Sequence, residues 1–274
     1  MDNLCTFELE VLETKTTDGR YGPVLSAMRP DTGELLTAYR LDLDESAKKD
    51  ILKNLTRPPP QQHGQPPSSV LLSYLGYQCK GGQTYLLTKY IPGVILHDFI
   101  HKRPVSPPLV RVILRQLVRA LQQLYDDQGF AVVFIDSKHI LLDNVCNVKV
   151  EAPLCDVTRT GEALPSAILT LPELVLGGQQ QQGMRKADVW LLGIIAIRML
   201  AGKRNLVDAN TASQLGEQIK KGKWESAFEL LVPDKVKALD DGPALGFLRQ
   251  CFTIDVNQRP SISDLQNHSF LTAT

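Results

Sequence analysis

The chain has no excess of charge of either sign. Lys and Arg together number 30 and Asp and Glu together number 30 among 274 residues. A surface for nucleic acid or for an anionic membrane needs a clustered basic excess, so neither partner is expected. Cysteine is scarce and odd in number: Cys5, Cys79, Cys146, Cys155 and Cys251, with no C-x-x-C spacing. That argues against a disulfide framework and against a zinc site, whose ligands come in close pairs. Reduced thiols in the cytoplasm, with no bound metal, are the expectation. The opening MDNLCTFELE has early acids and no apolar h-region, so a signal peptide is not expected. Long hydrophobic runs are also missing. The most apolar stretch, Val189 to Leu200, contains Arg198 and falls short of the roughly 20 residues a bilayer requires.

What is there is an ordinary globular composition, 43% hydrophobic and 22% charged, at a length that buries a sizeable core. Phe7 to Leu12, Pro23 to Ala27 and Leu35 to Leu43 read as strands around turn residues such as Thr32-Gly33. Ala47, Ile51, Leu52 and Leu55 recur at helical spacing over Glu45 to Leu55, and Arg57-Pro58 stops that helix. Residues 58–68, PPPQQHGQPPS, are polar and of low complexity and read as a surface insertion. Strands over Val70 to Tyr77 and Thr84 to Tyr90 follow. From Leu96 the pattern turns helical: Leu109 to Tyr125, Asp188 to Ala201, Ala212 to Lys220, Gly242 to Phe252 and Ile262 to His268. A strand pair, Ile140 to Leu142 and Val148 to Val150, interrupts it. The glutamine run at 179–182 reads as loop.

This order is similar to that of eukaryotic protein kinases over nearly the whole chain. Short segments toward the C-terminus carry the resemblance. Leu171-Pro172-Glu173 resembles the family's A-P-E. Lys186-Ala187-Asp188-Val189-Trp190-Leu191-Leu192-Gly193 resembles S-D-V-W-S-L-G, and Asp255-Val256-Asn257-Gln258-Arg259-Pro260 resembles D-P-x-x-R-P. Asn267-His268-Ser269-Phe270-Leu271 resembles the closing H-x-F-L. The resemblance implies an α+β, bilobal protein-kinase fold: a small antiparallel β-sheet N-lobe with one helix at 1–90, and a larger helical C-lobe at 91–274. It also implies that Glu173 pairs with Arg259 and that Asp188 bonds the backbone of the catalytic loop. Thr17-Asp18-Gly19-Arg20-Tyr21-Gly22-Pro23-Val24 is similar to the G-x-G-x-x-G-x-V loop over ATP phosphates, departing at Thr17. On this alignment Gly19, Gly22, Val24, Ala38, Arg40, Thr88 and Ile91 are the candidates for a nucleotide pocket, with Thr88 as gatekeeper.

Phosphoryl transfer in the family needs a lysine on the phosphates, a carboxylate at the acceptor hydroxyl and metal ligands. The aligned positions carry other residues. Thr37-Ala38-Tyr39-Arg40 matches V-A-I-K, placing Arg40 at the lysine. The helix glutamate falls on Lys48, which is expected to repel Arg40 and turn the helix outward, with Glu45 or Asp50 as substitute partners. H-R-D-x-K-x-x-N matches Val132 to His139, placing Phe134 at the catalytic aspartate and His139 at the metal-binding asparagine. D-F-G matches Ala152-Pro153-Leu154, and alanine offers no ligand. Asp136 and Asp156 stand close by as a rescue.

The expectation is therefore a pseudokinase, not an enzyme, that regulates or scaffolds an active kinase domain in cis or in trans. The resemblance implies kinship either with the inactive kinase-like domain of the amino-acid-starvation kinases of initiation factor 2 or with STRAD-type adaptors. The chain could then be a fragment of a longer protein, and a homodimer is compatible. A weakly active Ser/Thr kinase using Asp136 and Asp156 is one alternative. A metal-independent nucleotide switch, with weak ATP binding through Gly19, Gly22 and Arg40, is another.

Overall fold

The computed structural model describes residues 8–56, 70–100, 103–128, 133–154, 168, 170–177, 181–203, 207–239 and 242–273. The chain divides into two compact units, Met1–Gly93 with Lys149–Ala163, and Val94–Val148 with Leu164–Thr274. The division falls three residues beyond the expected boundary at 90, and neither unit is one continuous stretch. The segment after Val148 joins the strand-rich unit because Leu72 donates to the Val150 carbonyl at 2.9 Å and Val150 to that of Val70 at 2.8 Å.

The first unit is a sheet of β1 (Glu10–Gly19), β2 (Gly22–Met28), β3 (Leu35–Arg40), β4 (Tyr74–Lys80) and β5 (Gln83–Lys89), with the helix α1 (Glu45–Thr56) between β3 and β4. The strand order is β1-β2-β3-β5-β4, and the four pairings are antiparallel. Gly81 and Gly82 both have positive φ, 58° and 76°, as a two-residue hairpin between β4 and β5 demands. Side chains alternate across the sheet, giving two apolar clusters. Leu9, Leu25, Ala27, Leu36, Ala38 and Leu87 form one. The other gathers Tyr21, Leu41, Tyr77 and Leu86 of the strands and turns with Ile51 and Leu52 of α1. The helix starts where the Asp44 carboxylate accepts the Ala47 amide at 2.8 Å, an N-terminal cap.

The remaining elements are β6 (Gly93–Ile95), α2 (Leu96–Ile100), α3 (Pro107–Gln128), β7 (Ile140–Asp143), β8 (Val148–Val150), α4 (Pro172–Val175), α5 (Gln181–Ala201), α6 (Ala209–Lys220), α7 (Trp224–Leu231), α8 (Asp234–Lys237), α9 (Gly242–Cys251), α10 (Ile262–Gln266) and α11 (Ser269–Thr272). The three short strands form a sheet in the order β6-β7-β8. In the helical unit α5 is the central element, with every residue from Ala187 to Ala201 buried. Gly193 lets it approach α9: a Cβ there would stand 2.8 Å from Cβ of Cys251 and 2.7 Å from Cζ of Phe252. Trp190 meets the Phe252 ring edge to face at 5.0 Å.

Several expectations shift. Gln181 and Gln182 of the glutamine run belong to α5 rather than to a loop. The expected helix from Ile262 to His268 ends two residues early, because Asn267 caps α10, and a separate α11 follows, capped where the His268 ring accepts the Phe270 amide at 3.0 Å. The Val70 to Tyr77 strand begins only at Tyr74. The helices α4, α7 and α8 have no counterpart in the sequence reading. The insertion at 58–68 lies outside the described residues. Among the described residues, no helix is long and apolar enough to cross a membrane.

Candidate functional site

The helical unit builds its site around Asp188, which sits on α5 with no exposure. Its carboxylate accepts the Val133 amide at 2.7 Å, the Ile135 amide at 2.8 Å and the Tyr125 hydroxyl at 2.6 Å. Burial first, and then the Asp188 charge, push the Tyr125 phenol well above its ordinary value. Two amides flanking Phe134 are thus pinned, and Phe134 itself is held at φ 49°. That conformation is uncommon for a bulky residue and is sustained only where surroundings over-determine it. A buried phenyl ring stands at this position, and it accepts no proton.

Asp136 is near but committed elsewhere. One oxygen accepts the Lys138 amide at 2.9 Å, and the other pairs with the Arg198 guanidinium at 3.1 Å. Both side chains are buried, at 6% and 7% exposure. Burial works against the charge, but Arg198 and the Lys138 amide outweigh it and hold the carboxyl below its ordinary value. The Asp136 carboxylate, weighed in the sequence reading as an alternative base, is thus engaged by a buried cation and by the Lys138 amide. Its proposed companion, Asp156, lies outside the described residues, as does Val132. His139 is buried at the end of the turn that Asp136 caps.

Glu173 and Arg259, 86 residues apart, meet at 2.6 Å and 3.3 Å as a bidentate pair. Arg259 also donates to the carbonyls of Thr253 at 2.7 Å and Lys186 at 2.8 Å and lies over the Trp190 ring. With each ring-facing and polar side of the guanidinium engaged, this buried pair meets the condition under which such pairs are tolerated.

The strand-rich unit corrects the placing of the lysine position. Ala38 faces the cluster with Leu36 and Leu87, whereas Tyr39 packs on the cluster that includes α1. By alternation Arg40 lies on the face of Ala38. In the family the β3 lysine pairs with the helix glutamate, so it must face the helix, and here Tyr39 does. Sequence reasoning missed Tyr39 by one residue, and a one-residue slip reverses every side chain. Arg40 instead forks onto Asp42 with two contacts of 2.7 Å, and Lys48 binds Glu45 at 3.0 Å. The Asp42 carboxyl is held below its ordinary value chiefly by its bonds to Arg40, with Lys48 adding to it. An acid therefore stands between the two cations. The expected repulsion is neutralised, and α1 is packed on the sheet through Ile51 and Leu52 rather than turned outward.

The glycines of the β1–β2 turn are explained by close packing of the chain on itself. Gly22 has φ 139°, and a Cβ there would stand 2.6 Å from the Arg40 carbonyl. One at Gly19 would stand 2.7 Å from Val24. Between them Arg20 and Tyr21 are turned inward, at 3% and 1% exposure. Tyr39 and Tyr74 meet edge to face at 6.1 Å. The Tyr74 hydroxyl is buried without a partner, and burial, then the Glu151 charge, raise its phenol, while Arg20 opposes them. The Tyr39 phenol is raised for the same first two reasons, against a bond to Thr88. The candidate pocket residues are thus split: Val24, Tyr39 and Thr88 share one face, and Ala38 and Arg40 the other. Ile91 is partly buried past the end of β5. Ala152 is buried and carries no ligand atom. No group of three or more metal-ligating residues occurs among the described residues. As arranged, this unit does not fit a magnesium nucleotide: aromatic rings fill the face where a lysine would meet phosphate.

The chain belongs to the protein kinase domain family, whose model matches residues 12–271. Among its relatives are the MAP kinase kinase kinase mkh1 of Schizosaccharomyces pombe, 24% identical over 93% of this chain and 24% of that protein. Serine/threonine-protein kinase PAK 1 of Mus musculus is 26% identical over 94% of this chain and 45% of that protein. Mitogen-activated protein kinase kinase kinase 4 of Homo sapiens is 24% identical over 94% and 16%. The chain thus spans less than half the length of these relatives. The crystal structure of Rad53 1-466 in complex with AMP-PNP has the same fold, with a TM-score of 0.72 over 96% of this chain and 65% of that one, at 17% identity. These findings correct the expectation that the chain is not an enzyme: the family is one of enzymes, and the relatives are named as protein kinases. They are also of a different kind from the initiation-factor kinases and STRAD-type adaptors to which kinship was expected.

Proposed function

We propose that this protein kinase domain acts in phosphorylation signalling as an allosteric regulator or scaffold of an active kinase domain in the same chain or in another. The observation that carries the reading is a contrast between framework and phosphate face. The helical framework is complete, with Glu173 on Arg259 and Asp188 on the Val133 and Ile135 amides. The face of β3 toward α1 carries Tyr39 in place of a cation. Buried polar networks of this kind are costly unless every member is satisfied, so their presence supports a preserved surface. Relatives named as kinases of kinase kinases support a partner that is itself a protein kinase.

The test is a phosphoryl-transfer assay on a purified MAP kinase kinase kinase catalytic domain, with and without this chain at micromolar concentration. The assay is paired with size-exclusion chromatography to detect the complex and any homodimer. The expected outcome is a stable complex and a change of at least threefold in the partner's rate. Absence of a complex and an unchanged rate sink the proposal.

A further inference from the structure

The helical unit places exposed apolar side chains beside an unbalanced charge. Leu174 and Leu176, in and just after α4, and Trp224, the first residue of α7, are each about half exposed. Apolar side chains scattered singly over a surface need no explanation, whereas neighbouring ones mark an interaction site, so their placement decides. The helix α6 links them. Val175, between the two leucines, seats against Gly216 of α6: a Cβ added to that glycine would stand 3.9 Å from both Val175 Cγ atoms. Lys220 lies one turn further along the same face of α6, about 6 Å on. The chain then turns at Gly222, with φ 67°, where an added Cβ would stand 3.9 Å from the Trp224 ring. A band therefore runs from α4 across the end of α6 to the start of α7. Its charges are unequally matched. Each acid of α6 and α7 is taken: Glu217 by Lys221 at 3.2 Å, Glu225 by Arg249 at 3.2 Å, and Glu229 by Lys237. Lys220 and Lys223 are exposed and have no acidic partner among the described residues.

We propose that this band docks a short acidic segment of a partner protein, one that carries apolar side chains between its carboxylates. The apolar side chains cover Leu174, Leu176 and Trp224, and the carboxylates meet Lys220 and Lys223. Tryptophan is favoured as an interface anchor, and complementary charges around it set orientation and partner choice. An anionic membrane suits the band less, because headgroup recognition uses clusters of about four to eight basic residues and two are unpaired here. A second copy of the chain suits it less as well. A two-fold interface presents the same patch from both sides, and with Glu217, Glu225 and Glu229 already paired it would set lysines against lysines. The inference deepens the reading of the chain as a regulator or scaffold, and rests on it for the occupant being a protein.

The experiment is fluorescence anisotropy of a labelled peptide of alternating Glu and Leu, titrated with the full chain. Peptides alternating Glu with Ser and Lys with Leu serve as controls, and co-sedimentation with vesicles of equal parts phosphatidylcholine and phosphatidylserine tests the membrane. Two variants are compared with the wild type, Lys220→Glu/Lys223→Glu and Leu174→Ser/Leu176→Ser. Both change exposed side chains only, and unfolding midpoints confirm that they fold. The expected result is that the Glu–Leu peptide binds the wild type at least tenfold more tightly than either control. Each variant should weaken that binding at least tenfold, and the charge variant should turn the preference toward the Lys–Leu peptide. The docking surface is overturned by equal binding of the three peptides, by no binding of the Glu–Leu peptide, by binding of vesicles in place of peptide, or by a Glu–Leu affinity that is unchanged in either variant. No kinase is present in this titration, so its failure removes the surface alone, and the effect on a partner kinase's rate is read separately.

Discussion

Asp136 shows how one side chain is decided by its neighbours rather than by its chemistry. Desolvation alone would neutralise a carboxyl buried at 4% exposure, and the Arg198 guanidinium at 3.1 Å reverses that outcome. Removing one member of such a pair strands the other in a dry interior. Asp136→Ala should therefore lower stability by about 3–5 kcal/mol, read as a shift in urea midpoint, whereas replacing both residues with apolar ones of similar volume should cost far less. The pH dependence has a definite sign. The folded carboxyl lies below its ordinary value, so its contribution is complete above the unfolded pKa of about 3.9. It is lost as pH falls through the folded value. Urea midpoints measured from pH 6 downward should fall on the acid side, and Asp136→Asn should remove that part of the fall. The charge of Asp136 was legible in the sequence, but its partner was not. Arg198 lies 62 residues on, inside a run whose hydrophobicity marks it only as a buried helix.

At the scale of the element, the informative error is the register of β3. Leu36, Ala38, Tyr39 and Leu41 are all compatible with burial, so alternation offers no choice of face, and a motif match settles on the nearest cation, Arg40. The sheet settles it instead, because Tyr39 lies opposite Val24 and Leu86 on the side that α1 covers. The two neighbours should then respond differently to truncation. Arg40→Ala removes an exposed pair with Asp42, with side chains 36% and 39% exposed, and should change stability by no more than about 1 kcal/mol. Tyr39→Ala empties core volume beside Tyr74 and should cost about 2 kcal/mol or more. Thermal or urea unfolding of the pair checks the register directly, since equal effects would restore Arg40 to the inner face. A second element-level outcome concerns α5. Gly193→Ala places a methyl group inside the van der Waals shells of Cys251 and Phe252. It should cost about 1–3 kcal/mol by overpacking, measured by the same unfolding assay, despite the gain in helix propensity that alanine brings elsewhere.

For the whole molecule, the order of elements and the C-terminal landmarks were readable because each landmark is a short contiguous segment whose residues act locally. The Glu173–Arg259 contact and the Asp188 bonds join distant segments, and they were foreseen only through the resemblance. What the sequence could not reveal was how the strand-rich unit fills itself. Tyr21, Tyr39 and Tyr74 come together through turn geometry and strand register, neither of which has a linear signature. Global charge is the one property that needs no fold at all. Lys and Arg balance Asp and Glu, giving a formal net charge of zero at pH 7, so copies of the chain meet without long-range repulsion. Leu174, Leu176 and Trp224 are at the same time about half exposed. Low net charge promotes association at the working pH, and moving the pH in either direction restores repulsion. Light scattering at low salt should therefore peak near pH 7 and fall toward both pH 5.5 and pH 8.5. If the attraction between copies runs through opposite charges, salt near 0.5 M should abolish the peak, because screening then acts over only a few ångströms. If it runs through the exposed apolar side chains, the peak should survive salt and disappear in Leu174→Ser/Leu176→Ser. A scattering profile flat across this pH range would mean that the exposed surface carries no attraction for the missing repulsion to unmask.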